Sequence, residues 1–328
     1  MYNKKPPFEI TPFILDKLTE IAELVGQVNA VAGLSSNPIL RRTNRIRTIY
    51  SSLAIEQNTL SLEQVTAVLN GKRVIAPPKD ITEVKNAYEI YEMMDSLNPY
   101  SVDDLLNAHA VMTHELTEES GCFRSKPVGV VDKQGNILHF GALPDYAPGL
   151  TTELLDWIKD SDIHMLIKSC VFHYELEVIH PFADGNGRIG RLWHTLLLTQ
   201  WKPLFAWLPV ESIIHDHQDE YYAAINRSNY EGESTAFIEF MLSAIREALT
   251  EAVQTSGTTE KMTTDELRWC KIEQFLKKNN AIANADVRQL FQVSTATANR
   301  ILSKLTNEGK LQKIRIGKSW GYTHPIKP

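Results

Sequence analysis

The sequence predicts a mainly α-helical protein with one β-hairpin before residue 252 and a small C-terminal domain that follows it. In most segments apolar residues recur at the i, i+3, i+4 spacing of an amphipathic helix, and Gly, Pro, Ser or Thr residues separate these segments. Residues 128–140 instead combine two β-prone runs with a turn at Asp132–Gly135, which predicts the hairpin. Beyond residue 266, three helical segments precede two strand-like segments.

The composition is that of an ordinary globular chain. The 328 residues are 43% apolar and 23% charged, which allows one large or two ordinary domains. The net charge of −6 argues against a protein that binds nucleic acid over its whole surface. No membrane span or signal peptide is found, and the three cysteines (Cys122, Cys170 and Cys270) are too far apart for a metal or disulfide pattern. We therefore expect a cytoplasmic protein without membrane contact.

The N-terminal helical region comprises residues 1–100. Helices are expected over residues 11–28, 40–57, 60–70 and 77–97. The apolar stripe of the second helix consists of Ile46, Ile49, Tyr50 and Leu53. Glu56 lies at the border of that stripe, so its carboxylate is predicted to be partly buried and to need a cationic or hydrogen-bonding partner. An ordinary helix-terminal Glu is the alternative at this position.

Residues 101–252 form the predicted core of the protein. Helices are expected over residues 102–116, 150–159, 163–178, 219–229 and 236–252. The hairpin, with strands over 128–131 and 136–140, lies between the first two of them. A single hairpin in a helical protein is ordinarily a structural flap.

The segment at residues 180–191, HPFADGNGRIGR, leads from a loop into a helix. Its Pro, Asp, Asn and Gly residues form turns, and apolar residues recur with helical spacing after them. Glycines allow positive φ and remove side chains, so that backbone N–H groups can converge on one anion. The start of a helix adds unpaired N–H groups and the positive end of the helix dipole. The segment therefore predicts an anion-binding loop.

The charged side chains of this segment suit a polyphosphate. Arg188 and Arg191 are neighbours on the helix face away from the apolar stripe. Asp184 is a hard oxygen ligand for Mg²⁺, and His180 can take a proton from a hydroxyl group. An Asp-Gly-Asn-Gly turn alone is typical of a surface loop that caps a helix. With a His and two Arg residues in the same segment, phosphoryl or nucleotidyl transfer is favoured instead.

Residues 180–191 match H-P-F-x-D/E-G-N-G-R-x-x-R at every specified position, and this pattern resembles the signature of the Fic family. The resemblance covers about residues 10–252 and implies a Fic-type helical core with adenylyltransferase activity and ATP as co-substrate. The base that it implies is His180, acting on a Ser, Thr or Tyr hydroxyl of a target protein or of the chain itself. The phosphate-binding and metal-binding residues that it implies are Gly185, Asn186, Gly187, Arg188 and Arg191, with Asp184 as the Mg²⁺ ligand.

The resemblance also implies roles outside this segment. Tyr222 and Asn229 stand at a spacing similar to that of the family residues that flank adenine, although Tyr222 is equally typical of a core aromatic. The hairpin corresponds to the family's flap, which lines the active site and docks the target by strand addition. This would bring three of its residues near the nucleotide and the acceptor: Ile137, Leu138 and His139.

The run SLAIEQN at residues 52–58 is similar to the family's inhibitory motif, S/T-x-x-x-E-G/N. Ser52 and Glu56 match, whereas Gln57 stands where Gly or Asn is usual. The resemblance implies that Glu56 in the helix 40–57 pairs with Arg191 and denies this arginine to the γ-phosphate of ATP. In physical terms, one guanidinium has two possible anions.

Residues 253–265 are polar and rich in Ser and Thr, which predicts a linker, and residues 266–328 have the element order of a winged helix-turn-helix domain. Basic residues outnumber the single acidic one, Glu308, between residues 294 and 323. They are Arg300, Lys304, Lys310, Lys313, Arg315 and Lys318. This excess suits DNA phosphates, but a winged helix that contacts protein fits the acidic remainder of the chain equally well.

Three other functions remain open from the sequence. Glu56 could orient water in a de-AMPylating hydrolase, or the transferred group could be phosphate or phosphocholine, although Gly187 leaves room for a triphosphate in the usual orientation. The chain could also be a DNA-binding regulator whose Fic domain senses ATP. The pattern identifies neither the target protein nor whether the chain forms a homodimer.

Overall fold

The computed structural model describes residues 5–30, 37–131, 137–258, 264–316 and 319–325. Within these ranges the prediction of a mainly α-helical fold is confirmed. The chain forms two compact units, residues 1–257 and 258–328, so the N-terminal region and the core belong to one unit. Nowhere in the described ranges does a helix have the length and apolarity needed to cross a membrane.

The first unit is a helical assembly with a hairpin between its fifth and sixth helices. The helices are α1 (Pro12–Ala30), α2 (Pro38–Ile55), α3 (Leu62–Leu69), α4 (Pro78–Met93), α5 (Val102–Met112), α6 (Ala147–Asp160), α7 (Met165–Ile179), α8 (Asn186–Trp201), α9 (Val210–Asp216), α10 (Gln218–Glu231) and α11 (Thr235–Thr258). The strands are β1 (Gly129–Val131) and β2 (Ile137–Phe140), which pair antiparallel. Helix α9 was not predicted, because seven residues are too few to show a helical period.

Helix α8 is buried on nearly all sides. Its apolar residues Ile189, Leu192 and Trp193 are fully buried in one of the apolar cores of the unit. The opposite face is buried as well, because Arg188 is 2% and Arg191 1% exposed. A buried guanidinium requires anionic or hydrogen-bonding partners, and here α2 and α4 provide them.

Polar and cation–π contacts fix α2 in the first unit. Asn37 caps its start by accepting from two backbone N–H groups. Asn44 Nδ2 donates to Trp207 O at 2.8 Å, and the Arg45 guanidinium lies 4.7 Å from the centre of the Trp207 ring. Near the other end, Ser51 Oγ donates to Ser212 Oγ of α9 at 3.2 Å. These contacts hold α2 against Trp207 and α9.

The predicted linker over residues 253–265 is wrong at both ends, because α11 continues to Thr258 and the next helix begins at Thr264. Val253 packs partly buried against an apolar core, and no proline interrupts this stretch. Extending a formed helix costs little even through Ser and Thr residues. Residues 259–263 of the predicted linker lie outside the described part of the chain.

The second unit has three helices followed by a hairpin. Its elements are α12 (Thr264–Lys278), α13 (Asn284–Phe291), α14 (Thr295–Asn307), β3 (Gln312–Ile316) and β4 (Ser319–Thr323). Strands β3 and β4 pair antiparallel, and Ile282 adds a bridge to Tyr322 of β4. Apolar residues such as Val287 and Leu302 form a separate core.

Candidate active site

The predicted anion-binding segment forms the loop between α7 and α8. His180 ends α7 and Gly185 precedes α8, and both have left-handed backbones, with φ values of 50° and 85°. Asn186 Oδ1 accepts from the Phe182 N–H at 2.9 Å, while Asn186 Nδ2 donates to Phe182 O at 2.8 Å. Because this side chain is committed to the loop, Asn186 offers a ligand its backbone N–H, as does Gly187.

Two carboxylates hold Arg188. Its Nη2 lies 3.0 Å from Asp184 Oδ1, and its Nη1 lies 3.4 Å from Glu83 Oε1 on α4. Asn58 Nδ2 donates to the other oxygen of Glu83 at 2.7 Å. Arg188 Nε is buried and has no hydrogen-bond partner among the described residues. Glu83, which the sequence gave no reason to select, thus orients one of the two predicted phosphate-binding arginines.

The last turn of α2 holds Arg191. Arg191 Nε donates to Ser52 Oγ at 3.0 Å, and Nη2 donates to Ser52 O at 2.9 Å. Arg191 Nη2 also donates to Glu56 Oε1 at 2.7 Å. Burial by itself lowers the pKa of Arg191, but the charge and hydrogen bond of Glu56, together with Tyr221 and the charge of Glu177, raise it overall. The guanidinium is therefore always charged and already has an anionic partner.

Glu56 caps α2, which ends at Ile55 rather than at Gln57 as predicted. Gln57 adopts the left-handed conformation, with φ of 67°, in which Gly or Asn is usual. The Gln57 N–H donates to Ala54 O and the Asn58 N–H donates to Leu53 O, which are the two hydrogen bonds of a Schellman motif. The turn therefore forms with Gln, and it leaves Glu56 facing Arg191.

The Glu56 carboxylate occupies the space beside Gly187. A Cβ atom on Gly187 would lie 2.2 Å from Glu56 Oε1 and 3.0 Å from Arg191 Nη1. Any side chain at this position would displace the carboxylate. Glycine at position 187 is thus a condition for the Glu56–Arg191 pair, and the pair lies over the first turn of α8.

His180 lies beside the loop with a partly buried side chain. Its Nδ1 is 3.3 Å from Glu177 O. A carbonyl partner requires the proton on Nδ1, which leaves Nε2 as the nitrogen with a lone pair. The Glu177 carboxylate lies 3.9 Å from the same Nδ1. The sequence analysis did not select Glu177, although a residue three positions before His180 on a helix is its neighbour in space. Burial, and then the charge of Glu56, raise the pKa of Glu177 to about 7.

His109 on α5 fixes the loop and was also missed. Its Nδ1 accepts from the Gly121 N–H at 3.0 Å, and its Nε2 is 2.9 Å from Asp184 O. The ring stacks on Phe182 with a centroid distance of 3.9 Å. Both ring nitrogens are satisfied when the imidazole is neutral, and burial lowers the pKa of His109. The neutral ring therefore bridges two backbone segments.

The hairpin β1–β2 is the predicted flap, and its stem lies against His180. The residues predicted to line the site, Ile137, Leu138 and His139, are in β2. Their side chains, the predicted turn at residues 132–135 and residue 136 of the predicted second strand lie outside the described residues. At the stem, the Ala142 N–H donates to Ile179 O at 3.1 Å. A Cβ atom on Gly141 would lie 3.0 Å from His180 Cβ.

The two candidate adenine residues lie on α10. The Tyr222 hydroxyl is 3.5 Å from Ile55 O at the end of α2. Burial, and then the charge of Glu56, raise the pKa of Tyr222. Asn229 lies two helical turns further along and its Oδ1 accepts from the Tyr174 hydroxyl at 2.9 Å. Tyr222 is thus close to Glu56, whereas Asn229 is held by a residue of α7.

Asp184 fits a magnesium ion that arrives with a polyphosphate. Its carboxylate is about half exposed, and Oδ1 accepts from the Gly185 N–H at 2.7 Å. Among the described residues, no group of three or more His, Cys, Asp or Glu residues could hold a metal ion. Mg²⁺ usually binds one or two carboxylates together with substrate phosphates and water, which is what a single exposed Asp offers.

Comparison with known proteins identifies the same segment. Residues 99–198 match the model of the Fic/DOC family. The crystal structure of a Fic family protein from Desulfovibrio desulfuricans G20 is 39% identical in sequence, with a TM-score of 0.75 and coverage of 99% of both chains. The fragment 134–508 of Fic-1 from C. elegans is 22% identical, with a TM-score of 0.62 over 75% of this chain and 74% of that chain, and shows the fold.

Two relatives are named for an activity. The protein adenylyltransferase fic-1 of Caenorhabditis briggsae is 30% identical over 231 residues, which are 65% of this chain and 43% of that protein. The protein adenylyltransferase Fic of Nematostella vectensis is 28% identical over 242 residues, which are 70% of this chain and 53% of that protein. The chain thus spans about half the length of these relatives.

Proposed function

The chain belongs to the Fic family, and from this premise we propose that it transfers AMP from ATP to a hydroxyl group of a protein, either a target protein or itself. The observation that carries the proposal is the convergence of two buried arginines, the N–H groups of Gly187 and its neighbours, and the His180 imidazole at one loop. The adenylyltransferase names of the relatives support the same reaction.

ATP binds in this proposal with its phosphates at the start of α8. The N–H groups of Asn186 and Gly187 receive the anion, because the Gly185 N–H is already bonded to Asp184. Arg188 and Arg191 hold the β- and γ-phosphates. Asp184 would hold Mg²⁺, which neutralises phosphate charge when bound. Tyr222 and Asn229 of α10 are the proposed adenine contacts.

His180 acts as the general base of the proposed reaction. Its Nε2 takes the proton of the acceptor hydroxyl, and the hydroxyl oxygen forms a bond to the α-phosphorus. The bond from the α-phosphorus to the bridging oxygen breaks, and pyrophosphate leaves with the electron pair. A positioned general base contributes typically about 10²–10⁴-fold to the rate. Removal of His180 should therefore abolish detectable transfer.

Glu56 inhibits the wild-type chain in this proposal. It neutralises Arg191 at 2.7 Å and lies over Gly187, so it opposes the γ-phosphate by both charge and volume. Ser52 supports this state, because its hydroxyl and carbonyl oxygens bind the same guanidinium. Nucleotide binding in the active orientation thus requires the carboxylate to move.

Labelling with α-³²P-ATP and Mg²⁺ tests both parts of the proposal. Purified protein and lysate are incubated with wild type, Glu56→Gly, and Glu56→Gly combined with His180→Ala. We expect strong label with Glu56→Gly alone. The matched control is Glu115→Gly, which changes a largely exposed glutamate in a left-handed turn and should label like wild type. Label that survives the loss of His180 would refute the assigned base, and equal label in wild type and Glu56→Gly would refute the inhibition.

Removal of AMP from a modified protein is a second candidate function. Glu56 places a carboxylate at the loop, where it could act as the base that activates water. In that reaction Glu56 orients water toward the phosphorus of an AMP-modified side chain. Wild type incubated with the modified protein in the absence of ATP should then release AMP, and Glu56→Gly should not. Absence of release by wild type would exclude it.

An exposed cationic–aromatic surface on the second unit favours an additional contact with DNA. Lys313 Nζ and the Arg315 guanidinium lie 4.4 and 5.6 Å from the centre of the Trp320 ring, which is 52% exposed. Of the other basic residues, Lys304 pairs with Asp265 at 2.6 Å and Lys310 with Glu308 at 2.9 Å, so fewer charges meet phosphates than the sequence predicts. Lys318 lies outside the described residues.

A gel shift with duplex DNA at low and high salt tests this contact. We expect binding that weakens with salt and is lost in the double variant of Lys313→Ala and Arg315→Ala. The absence of a shift at low salt would favour a protein contact for this unit.

A further inference from the structure

Arg124 is a buried cation that forms no ion pair with a described residue, although the charge of Glu119 acts on it from beyond ion-pair distance. It lies between α5 and β1 and is 3% exposed. In the described part of the chain, no Asp or Glu oxygen is within ion-pair distance of its guanidinium. A buried charge is costly unless hydrogen bonds satisfy it. The hydrogen-bond partners of Arg124 therefore indicate its structural role.

Among the described residues, every hydrogen bond of the Arg124 guanidinium goes to a backbone carbonyl. Nε donates to His180 O at 2.7 Å, Nη1 donates to Lys126 O at 2.8 Å, and Nη2 donates to Ala142 O. Lys126 precedes β1 and Ala142 follows β2, so these two residues are the stems of the flap. One side chain thus joins both stems of the flap to the backbone of the proposed base.

The backbone of His180 needs such a restraint. A non-glycine residue in the left-handed region is disfavoured by roughly 1–2 kcal/mol, and His180 has φ of 50° and ψ of 60°. Two further hydrogen bonds hold the residues on either side of His180. The Arg124 N–H donates to Pro181 O at 3.0 Å, and the Ala142 N–H donates to Ile179 O at 3.1 Å. The direction of the imidazole follows from this backbone conformation.

We propose that Arg124 is a positioning residue that fixes His180 to both stems of the flap, so that the base and the surface receiving the acceptor protein keep one relative position. The part of this inference that concerns the base rests on the proposed AMP transfer. In this proposal Arg124 contacts neither nucleotide nor acceptor, and it acts through the backbone of His180 and Pro181 and of the two flap stems.

Gly141 gives a second, independent way to disturb this junction. A Cβ atom at this position would lie 2.8 Å from Arg124 Nη2, 3.0 Å from His180 Cβ and 3.3 Å from Ile179 O. Gly141→Ala therefore forces the flap stem away from the base while keeping the guanidinium. Gly149 on α6 has no atom within 4 Å of an added Cβ, so Gly149→Ala is the matched control.

The kinetic test uses the Glu56→Gly protein as parent, with Arg124→Lys, Gly141→Ala or Gly149→Ala added. A displacement of about 1 Å in a reacting group can cost roughly 10²-fold in rate. We expect the rate of label transfer at saturating ATP to fall about 10- to 100-fold with Arg124→Lys and with Gly141→Ala. The Kd for ATP should stay within about twofold of the parent, because the described contacts of Arg124 and Gly141 in this loop are with His180 and Pro181 and not with the N–H groups of Asn186 and Gly187. Gly149→Ala should match the parent. An unchanged rate, or a Kd that rises in proportion to the lost rate, would overturn the proposal.

A second readout separates this inference from the proposed transfer. The histidine ring NMR signals of ¹⁵N-labelled protein are recorded, and those of His180 are identified by their loss in His180→Ala. They should move in Arg124→Lys and Gly141→Ala but not in Gly149→Ala. His180 signals that stay in place in both variants would overturn the positioning role. If they move while the parent transfers no label, the proposed AMP transfer fails and the attachment of His180 to the flap is supported.

Discussion

Replacing Glu56 by Gln and by Gly separates the two ways in which this residue opposes a nucleotide in the proposed inhibition. Its charge neutralises Arg191 through one hydrogen bond of 2.7 Å, and its volume fills the space beside Gly187. Gln keeps the volume and one hydrogen bond from the charged guanidinium but removes the negative charge. Gly removes everything beyond the backbone. The two variants should therefore bind ATP differently.

The expected sizes follow from the geometry of the pair. A hydrogen bond to a charged group contributes about 1.5–3 kcal/mol, and the opposite charge of a partly exposed partner accounts for up to about 1 kcal/mol of the attraction. The Glu56 side chain is 35% exposed, so solvent screening favours a value near the lower end, about 2 kcal/mol. Gln should weaken the hold on Arg191 by about 1 kcal/mol, and Gly by about 2 kcal/mol. These differences correspond to roughly 5-fold and 30-fold tighter binding of ATP.

Isothermal titration with ATP and Mg²⁺ measures this directly. Each Glu56 variant is combined with His180→Ala so that no turnover disturbs the titration, and His180→Ala alone is the reference. Equal affinity in all three proteins would refute the competition for Arg191. Equal tightening by Gln and Gly would show that charge alone acts and that the volume over Gly187 has no effect.

Three further predictions concern stability, measured by urea unfolding. Gly185→Ala should lower the free energy of unfolding by about 1–2 kcal/mol, because φ is 85° and the added Cβ would meet Thr113 Cγ2 at 3.0 Å. Gly26→Ala in α1, where an added Cβ meets no atom within 4 Å, should raise it by about 0.5–1 kcal/mol. A loss of equal size in both variants would contradict the argument. Burial raises the pKa of Glu175 to about 7, above its unfolded value of 4.5, so the stability it contributes is present at low pH and is lost as the pH rises through 7. Glu175→Gln should therefore gain about 2–3 kcal/mol on wild type between pH 5 and pH 8, and parallel pH curves would disprove this. His109→Leu leaves the Gly121 N–H and Asp184 O unpaired and should lower the free energy of unfolding by about 2–4 kcal/mol. If the variant unfolds at the same urea concentration as wild type, the His109 bridge does not contribute to stability.

Residues 180–191 could be predicted as a site because their information is local. Turn residues, a helix start and charges of the right kind follow one another, and backbone geometry alone brings them together. The partners of these charges are distant in sequence. Glu83 is 105 residues from Arg188, and Glu56 is 135 residues from Arg191. Glu56 was predicted as a partner of Arg191 from the resemblance to the family's inhibitory motif. No sequence pattern near Glu83 predicted that it would contact Arg188.

Helical periodicity gave the faces of α8 but not their surroundings. Arg188 and Arg191 were expected on the face opposite the apolar stripe, and they lie there, but other helices cover this face completely. The helical period of a sequence shows which face is apolar and which is polar. It does not show whether the polar face is buried or exposed to solvent. The overlong linker has a related cause, since Ser and Thr residues between 253 and 258 are compatible with both loop and helix.

The contacts of Ser52 with Arg191 have a consequence for the speed of activation. Two of the three hydrogen bonds that orient the guanidinium come from Ser52, and only one comes from Glu56. When the carboxylate leaves, the arginine keeps its rotamer, and no side-chain entropy has to be lost again when a phosphate arrives. Under the proposed inhibition, Arg191 therefore already has the orientation in which it would bind a phosphate. The transition needs only a rotamer change of one partly exposed glutamate, a motion of picoseconds to nanoseconds, whereas detachment of α2 would take far longer.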